Sequence, residues 1–542
     1  MLRFVVLTIA LFLTVSVFSQ TQQTISRPKL VVGIMVDQMR WDYLYRFYDR
    51  YGNDGFKRMI TQGYSCENTF IPYTPTYTAV GHTCVYTGSV PAITGIVGNL
   101  WYRRDLKRSW YCAEDTSVST VGSTSVAGKM SPRNMWTTTI TDELRLATNF
   151  QSKTIGIALK DRGAILPAGH SANAAYWFDD ASGGWITSTY YMNELPAWVK
   201  TLNDKKLPDQ YLQQNWNTLY PINTYKQSTE DDKNWEAKIG GEDNTFPHMT
   251  AGLTTGKYGS FRQTPYGNTY TVDMARAAIE GEKLGQRNVT DFLAVSFSSP
   301  DYVGHAFGPN SIEVEDVYLR LDRDLGALFT YLDAKVGKGQ YLVFLTADHA
   351  VAHVPAFLKE HKIPAGIFDD EQVRKWLNDT ASKKFGVKDP IETVINYQLF
   401  INKQALAQNK VDEKEFRTWA VDQLRTHPAM MAAFDLHDLP GTPLPAKIKE
   451  MVTNGYNHQL SGDIQFVFKP QWFDGYQTGT THGSWNPYDS HIPLLWFGWK
   501  VKAGKTNRET YMTDIAPTLA GMLRIQMPNG CIGHVIEEVS KP

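Results

Sequence analysis

Apolar, β-branched runs recur along this chain, bounded by polar loops and separated by stretches of helical spacing. The first, KLVVGIMVD at residues 29–37, carries no polar side chain between its lysine and its closing carboxylate, the pattern of a strand buried on both faces. Similar runs predict strands near Cys66 to Pro72 and at 153–160, 291–299, 340–348 and 492–499. Helical spacing predicts helices over Trp41 to Thr61, Thr76 to Thr87, Met135 to Thr148, Ser311 to Lys335 and Met512 to Leu523. Alternation of this kind predicts an α/β fold, a doubly wound, mostly parallel sheet sandwiched by helices. Two stretches break the alternation: about 171–265, rich in Trp, Tyr, Asn and Gly, and about 356–480, mixed helical and polar. The strand pattern resumes after each, so both read as cap insertions within one domain.

The first residues add a compartment. MLRFVVLTIALFLTVSVFSQ places Arg3 before an apolar run from Phe4 to Phe18 and then small and polar residues, a signal-peptide pattern spanning 1–19. The run falls short of the roughly 20 apolar residues that a spanning helix needs. The expectation is an exported protein, periplasmic or secreted, whose catalytic domain covers 20–542 without a membrane anchor. Four cysteines, Cys66, Cys84, Cys112 and Cys531, admit up to two disulfides in an oxidising compartment, with free buried thiols as the alternative. No CxxC spacing occurs, which argues against a thiolate metal site. Formal net charge is -1, so no global field favours nucleic acid or an anionic membrane, and an anionic substrate must be drawn in locally.

Candidate chemistry gathers where such sheets bind ligands, beyond the carboxyl ends of the strands. Asp37 closes the first strand; Asp301 and His305 follow the 291–299 strand in SSPDYVGHAFGP; Asp348 and His349 close the 340–348 strand; His482 sits in the late loop TGTTHGSWNP. A single strand-end Asp is usually a turn or cap residue, but this ordered set supplies three Asp and three His, enough for two mixed nitrogen and oxygen sites of the kind zinc takes. His353, four residues past His349, reads as a structural neighbour. A hydroxyl at the start of a helix in PTYTAVGHTCVYTG, Thr76 or Thr78, lies where unpaired amides and the helix dipole favour a phosphoryl anion.

In these ordered motifs, and in the closing DIAPTLAGMLRIQMPNGCIG, the sequence resembles the alkaline phosphatase superfamily from about Lys29 to its C-terminus, on the branch of exported, zinc-dependent, calcium-independent alkaline phosphatases. The resemblance implies an alkaline phosphatase-like fold and two zinc ions, one held by Asp37, Asp348 and His349 together with the nucleophile, the other by Asp301, His305 and His482. It places the nucleophile on Thr78, with Thr76 as rival, and implies that Asn99 in GIVGNLWYRR contacts a phosphoryl oxygen. Lys160 and Arg162 in ALKDRGAILPAGH would bind the non-bridging oxygens. The implied reaction is hydrolysis of small phosphate monoesters through a phosphothreonine, with no dedicated nucleic-acid partner and no obligate protein partner. A phosphodiesterase or nucleotide pyrophosphatase of the same superfamily is the rival, disfavoured by the Lys160 and Arg162 pair because a diester carries one fewer charge. A sulfatase is disfavoured by the absence of a C-x-P-x-R or S-x-P-x-R motif at Thr78, a phosphomutase by the export signal. A non-catalytic metal- or phosphate-binding protein would not need the nucleophile, six ligands and anion clamp together. A third, magnesium site is not expected.

Overall fold

The computed structural model describes residues 25–239, 244–475 and 477–540. The signal segment expected over 1–19 lies outside the described residues.

Five parallel strands form the centre of a ten-stranded sheet. In chain order the relevant strands are β1 (Leu30–Val36), β2 (Thr154–Ala158), β3 (Ala174–Asp179), β4 (Gly184–Ser188), β5 (Asp291–Phe297), β6 (Tyr341–Thr346) and β7 (Leu494–Gly498). Their spatial order is β7-β6-β1-β5-β2-β3-β4. From β6 to β3 the pairs are parallel, whereas β7 and β4 join antiparallel at the flanks. Every residue of β1, β5 and β6 is buried, which explains why these strands read as continuous apolar runs rather than alternating ones.

Register then decides what meets what. Val36 lies opposite Phe297, Met35 opposite Thr346, and Ser296 opposite Ala158. Four adjacent strands therefore end at one level, and the residues following them share one edge. Those residues include Asp37, Asp348, Asp301 and Lys160, far apart in the chain but neighbours in the sheet.

Four helices complete the frame: α1 (Thr78–Thr87), α2 (Asp161–Ala168), α3 (Ser299–Phe307) and α4 (Ile312–Leu332). All ten residues of α1 are buried. Gly81 lets α1 cross the end of β6 closely, since a Cβ there would stand 2.3 Å from the backbone oxygen of Asp348.

Several sequence expectations need adjustment. The helix expected over Trp41 to Thr61 is broken into Tyr43–Arg46, a 3-10 turn at Tyr48–Arg50, and Phe56–Gln62, because Gly52 and Gly55 interrupt the segment and Asp322 of α4 takes the amides of Gly52 and Phe56. The helix expected from Met135 begins at Ile140, where Thr139 and Asp142 form a reciprocal cap. The stretch 171–265 opens with β3 and β4, so its first residues belong to the central sheet. The stretch 356–480 contains a separate four-stranded sheet, Ile391–Ile395, Gln398–Ile401, Met430–Asp435 and Ile464–Phe468, with its own apolar cluster around Leu377, Leu399, Phe416 and Phe466. The four cysteines form no disulfide; burial pushes the Cys66 and Cys112 thiols up to about 12.

Candidate active site

The six Asp and His side chains are gathered in two groups, Asp37, Asp348 and His349 in one and Asp301, His305 and His482 in the other, each with ligand atoms within 4.8 Å of one another. In the first group His349 Nε2 lies 3.5 Å from both Asp37 Oδ1 and Asp348 Oδ2. In the second, Asp301 Oδ1 lies 3.2 Å from His305 Nε2 and 3.8 Å from His482 Nε2. The groups abut, because the rings of His349 and His482 stack with centroids 3.4 Å apart.

The histidines are oriented by backbone. His305 Nδ1 donates to Thr480 O (2.8 Å), His349 Nδ1 to Ala350 O (3.0 Å) and His482 Nδ1 to Thr76 O (2.6 Å). A carbonyl only accepts, so each Nδ1 carries the proton and each Nε2 turns a lone pair toward its group, as a ligating imidazole requires. Burial holds His349 and His482 below the ordinary histidine range, in the neutral form that binds metal. Burial would lower His305 too, but Asp301 beside it lifts it above that range.

The carboxylates lack cations to match. Asp37 and Asp348 are fully buried, and Asp37 Oδ1 and Asp348 Oδ2 have no hydrogen-bond donor among the described residues. Burial, then the charges of Asp301 and Asp348, hold Asp37 well above the usual carboxylate range. Burial opposes ionisation of Asp301 as well, yet His305 and Lys160 hold it well below that range. Among the described residues Lys160 is the one ammonium paired with these acids, touching Asp37 and Asp301. Two groups of hard and borderline donors with excess negative charge fit divalent zinc.

The remaining predicted residues surround these groups. Thr78 is the first residue of α1, with its Oγ1 3.4 Å from His349 Nε2. Thr76, the rival hydroxyl, is occupied: its Oγ1 accepts from the amide of Gly483. The Asn99 Oδ1 accepts from the Ala79 amide at 2.9 Å, which ties it to the start of α1 and leaves Nδ2 as the donor it can offer a ligand. Lys160 precedes α2 and pairs with Asp37 and Asp301. Arg162 is half-buried and donates to the Tyr111 hydroxyl at 3.1 Å, while that hydroxyl donates to Asp161. His353 is kept out of the metal groups by Asn310 at 2.7 Å and Arg40 at 3.2 Å.

Sequence reasoning missed two neighbours. Gln38 has φ 68° and follows Asp37; its Nε2 donates to Asp301 Oδ1 at 2.8 Å and its amide to Asp348 Oδ1 at 3.1 Å. His82 sits one helical turn beyond Thr78, its Nδ1 2.9 Å from Thr78 O and 3.3 Å from Asp348 Oδ2. The four-residue spacing from Thr78 was the available signal. A third acid and histidine trio, Glu413, His437 and Asp463, lies in the 356–480 segment, but Lys403, Arg104 and Arg417 already pair with its carboxylates.

This arrangement is that of a metal-dependent phosphoryl-transfer enzyme, and comparison with known proteins agrees. The family described as type I phosphodiesterase / nucleotide pyrophosphatase matches residues 31–489. Alkaline phosphatase PhoV of Synechococcus elongatus is 52% identical over 520 residues, 96% of this chain and 94% of that protein. Alkaline phosphatase PafA of Elizabethkingia meningoseptica is 50% identical over 525 residues, 96% of each. The crystal structure of PafA matches with a TM-score of 0.93 over 95% of this chain and 100% of that one. So does a PafA variant with a threonine, an asparagine, a lysine and an arginine replaced. A Myroides odoratus protein named calcium-transporting ATPase is 52% identical over 522 residues, 95% of each; among the described residues here no helix is long and apolar enough to cross a membrane.

The chain belongs to the type I phosphodiesterase / nucleotide pyrophosphatase family of the alkaline phosphatase superfamily. Within it the protein stands on the calcium-independent alkaline phosphatase branch, and is an alkaline phosphatase, a phosphate-monoester hydrolase.

Proposed function

We propose that the enzyme is a two-zinc alkaline phosphatase in which Thr78 is phosphorylated and dephosphorylated in each cycle. The observation that carries this reading is the Thr78 hydroxyl lying beside two abutting donor groups whose histidine lone pairs and partnerless carboxylate oxygens converge. Asp37, Asp348 and His349 would hold one zinc with Thr78 as a further ligand, and Asp301, His305 and His482 the other. Zinc bound there supplies Lewis acidity, favouring the alkoxide of Thr78 and neutralising charge on the departing oxygen.

The chain's own residues do the rest. Thr78 Oγ1 gives up its proton to solvent and attacks phosphorus; the new O–P bond forms as the bond from phosphorus to the ester oxygen breaks, and that oxygen takes a proton from solvent to leave as the alcohol. Water then cleaves the phosphothreonine, releasing inorganic phosphate and restoring the hydroxyl. The Thr78 amide at the start of α1 and the Asn99 Nδ2 donate to the phosphoryl oxygens, while Lys160 and Arg162 bind the charge that distinguishes a monoester from a diester. The PafA variant adds support, since its four replaced residues are of the same types in the same order as Thr78, Asn99, Lys160 and Arg162. Small phosphate monoesters are the substrates in this reading, and export through residues 1–19 is its compartment.

The family's phosphodiesterase name favours diester hydrolysis as a second reading. Comparing kcat/KM for an aryl phosphate monoester and a diester with the same leaving group, on zinc-replete enzyme before and after chelation, tests both. A ratio favouring the monoester, lost on chelation and restored by zinc, is expected; a ratio favouring the diester would transfer the assignment.

A further inference from the structure

Lys160 stands where the two donor groups meet. Its ammonium is 2.7 Å from Asp37 Oδ2 and 2.5 Å from Asp301 Oδ2, one carboxylate of each group, and its side chain is 2% exposed. Its other close neighbour is the face of Tyr302, with Nζ 5.0 Å from the ring centroid. That ring is fixed: Arg262 Nη1 donates to the Tyr302 hydroxyl at 2.8 Å, and Arg262 pairs in turn with Asp180. A charge buried this deeply persists only with a partner, and removing one member of a buried pair leaves the other exposed to the full desolvation penalty. Asp37 and Asp301, when ionised, therefore need positive charge beside them, whichever group supplies it.

We propose that Lys160 is a built-in counter-ion that competes with the metal cofactor: its ammonium and the zinc ions claim oxygens of the same two carboxylates, so that zinc loading is a cation exchange that turns Lys160 toward the phosphoryl group. The proposal rests on the two-zinc reading. Exchange links the cofactor to substrate binding, because Lys160 becomes available to an anion only after cations have taken its place at Asp37 and Asp301. The Tyr302 face gives the displaced ammonium a fixed surface to lie on, so release need not expose it to bulk water. Competition also has a measurable cost: when the receptive form is a minor fraction of the protein, the apparent dissociation constant rises by the inverse of that fraction.

The test uses the full chain stripped of metal and titrated with zinc against a chromogenic chelator, together with melting curves of the stripped and loaded forms. Lys160→Met is expected to bind zinc about tenfold more tightly than the parent, as follows if the paired form holds about nine-tenths of the population. It is also expected to lose more Tm in the stripped form than in the loaded form. Lys160→Arg, which keeps the charge, should stay near the parent in affinity. A merely structural role would weaken zinc binding rather than tighten it. Unchanged or weaker affinity in Lys160→Met, or equal Tm losses in both forms, overturns the proposal. Should Lys160→Met fail to fold when stripped, Lys160→Gln is compared in its place with the same two outcomes. A parent chain that takes up no zinc at these residues brings down the two-zinc reading instead, and is distinguishable at once.

Discussion

One donor group is sealed and the other reaches the surface. Asp37, Asp348 and His349 are all fully buried, set on the ends of β1 and β6. Asp301, His305 and His482 are mounted on α3 and a late loop, and the His305 side chain is 35% exposed. The difference separates tasks under the proposed mechanism. The sealed group adjoins Thr78 and would hold the nucleophile in fixed geometry, whereas the open group is where an alcohol must leave and water must enter. Its ligands also depend on loop packing: Gly479 donates to Trp235 O and Thr480 to His305 O, so two distant segments clasp α3 at its end.

The largest effect should come from the sealed side. Thr78→Ala is expected to lower turnover of an aryl phosphate by about 10^4-fold or more, with zinc content near that of the parent; near-normal turnover would remove Thr78 from the chemistry. Next comes the anion clamp. Replacing both Lys160 and Arg162 by Ala removes two charged hydrogen bonds of about 2 kcal/mol each, so monoester kcat/KM should fall roughly a thousandfold while diester hydrolysis falls much less; parallel losses would show that the pair does not set the preference.

Metal removal sharpens the contrast directly. Chelation followed by metal analysis should release zinc in two phases, the faster from the open group. His305→Ala is expected to weaken the fast phase and His349→Ala the slow one, and a single phase in the parent would erase the distinction drawn between the groups.

The smallest effect concerns the loop that carries His482. Asp489 is fully buried beneath it, accepts from the Ser484 amide at 2.6 Å, and is pushed up to about 8 by burial. A carboxyl raised in this way contributes stability that is full below its ordinary 3.8, declines as pH climbs and is lost by about 8. Asp489→Asn should therefore gain Tm relative to the parent between pH 5 and pH 9. A constant difference across that range would show that the carboxyl is not protonated in the folded loop.

The sheet was legible because burial on both faces leaves unbroken apolar runs, and the site because its acids stand at the ends of those runs. Other features were hidden for physical reasons. Gln38 acts through a left-handed backbone at a residue with no pattern of its own. His82 is read as core until the helix carrying it is placed over Asp348. β3 and β4 read as part of an insertion because their aromatic residues look like loop composition until they pair with β2 and each other. The hinge-like breaks between Trp41 and Thr61 depend on Asp322, which no local window includes.

The carbonyls of Thr76, Ala350 and Thr480 aim the three imidazoles, and every amino acid supplies a carbonyl. The aim is thus set by backbone, while the buried hydroxyls of Thr76 and Thr480 tie the same loops together, Thr76 through the Gly483 amide and Ser484 O and Thr480 through Ala352 O. A one-residue insertion or deletion in the same loops would swing a ring away from its group, making spacing a property that selection must guard.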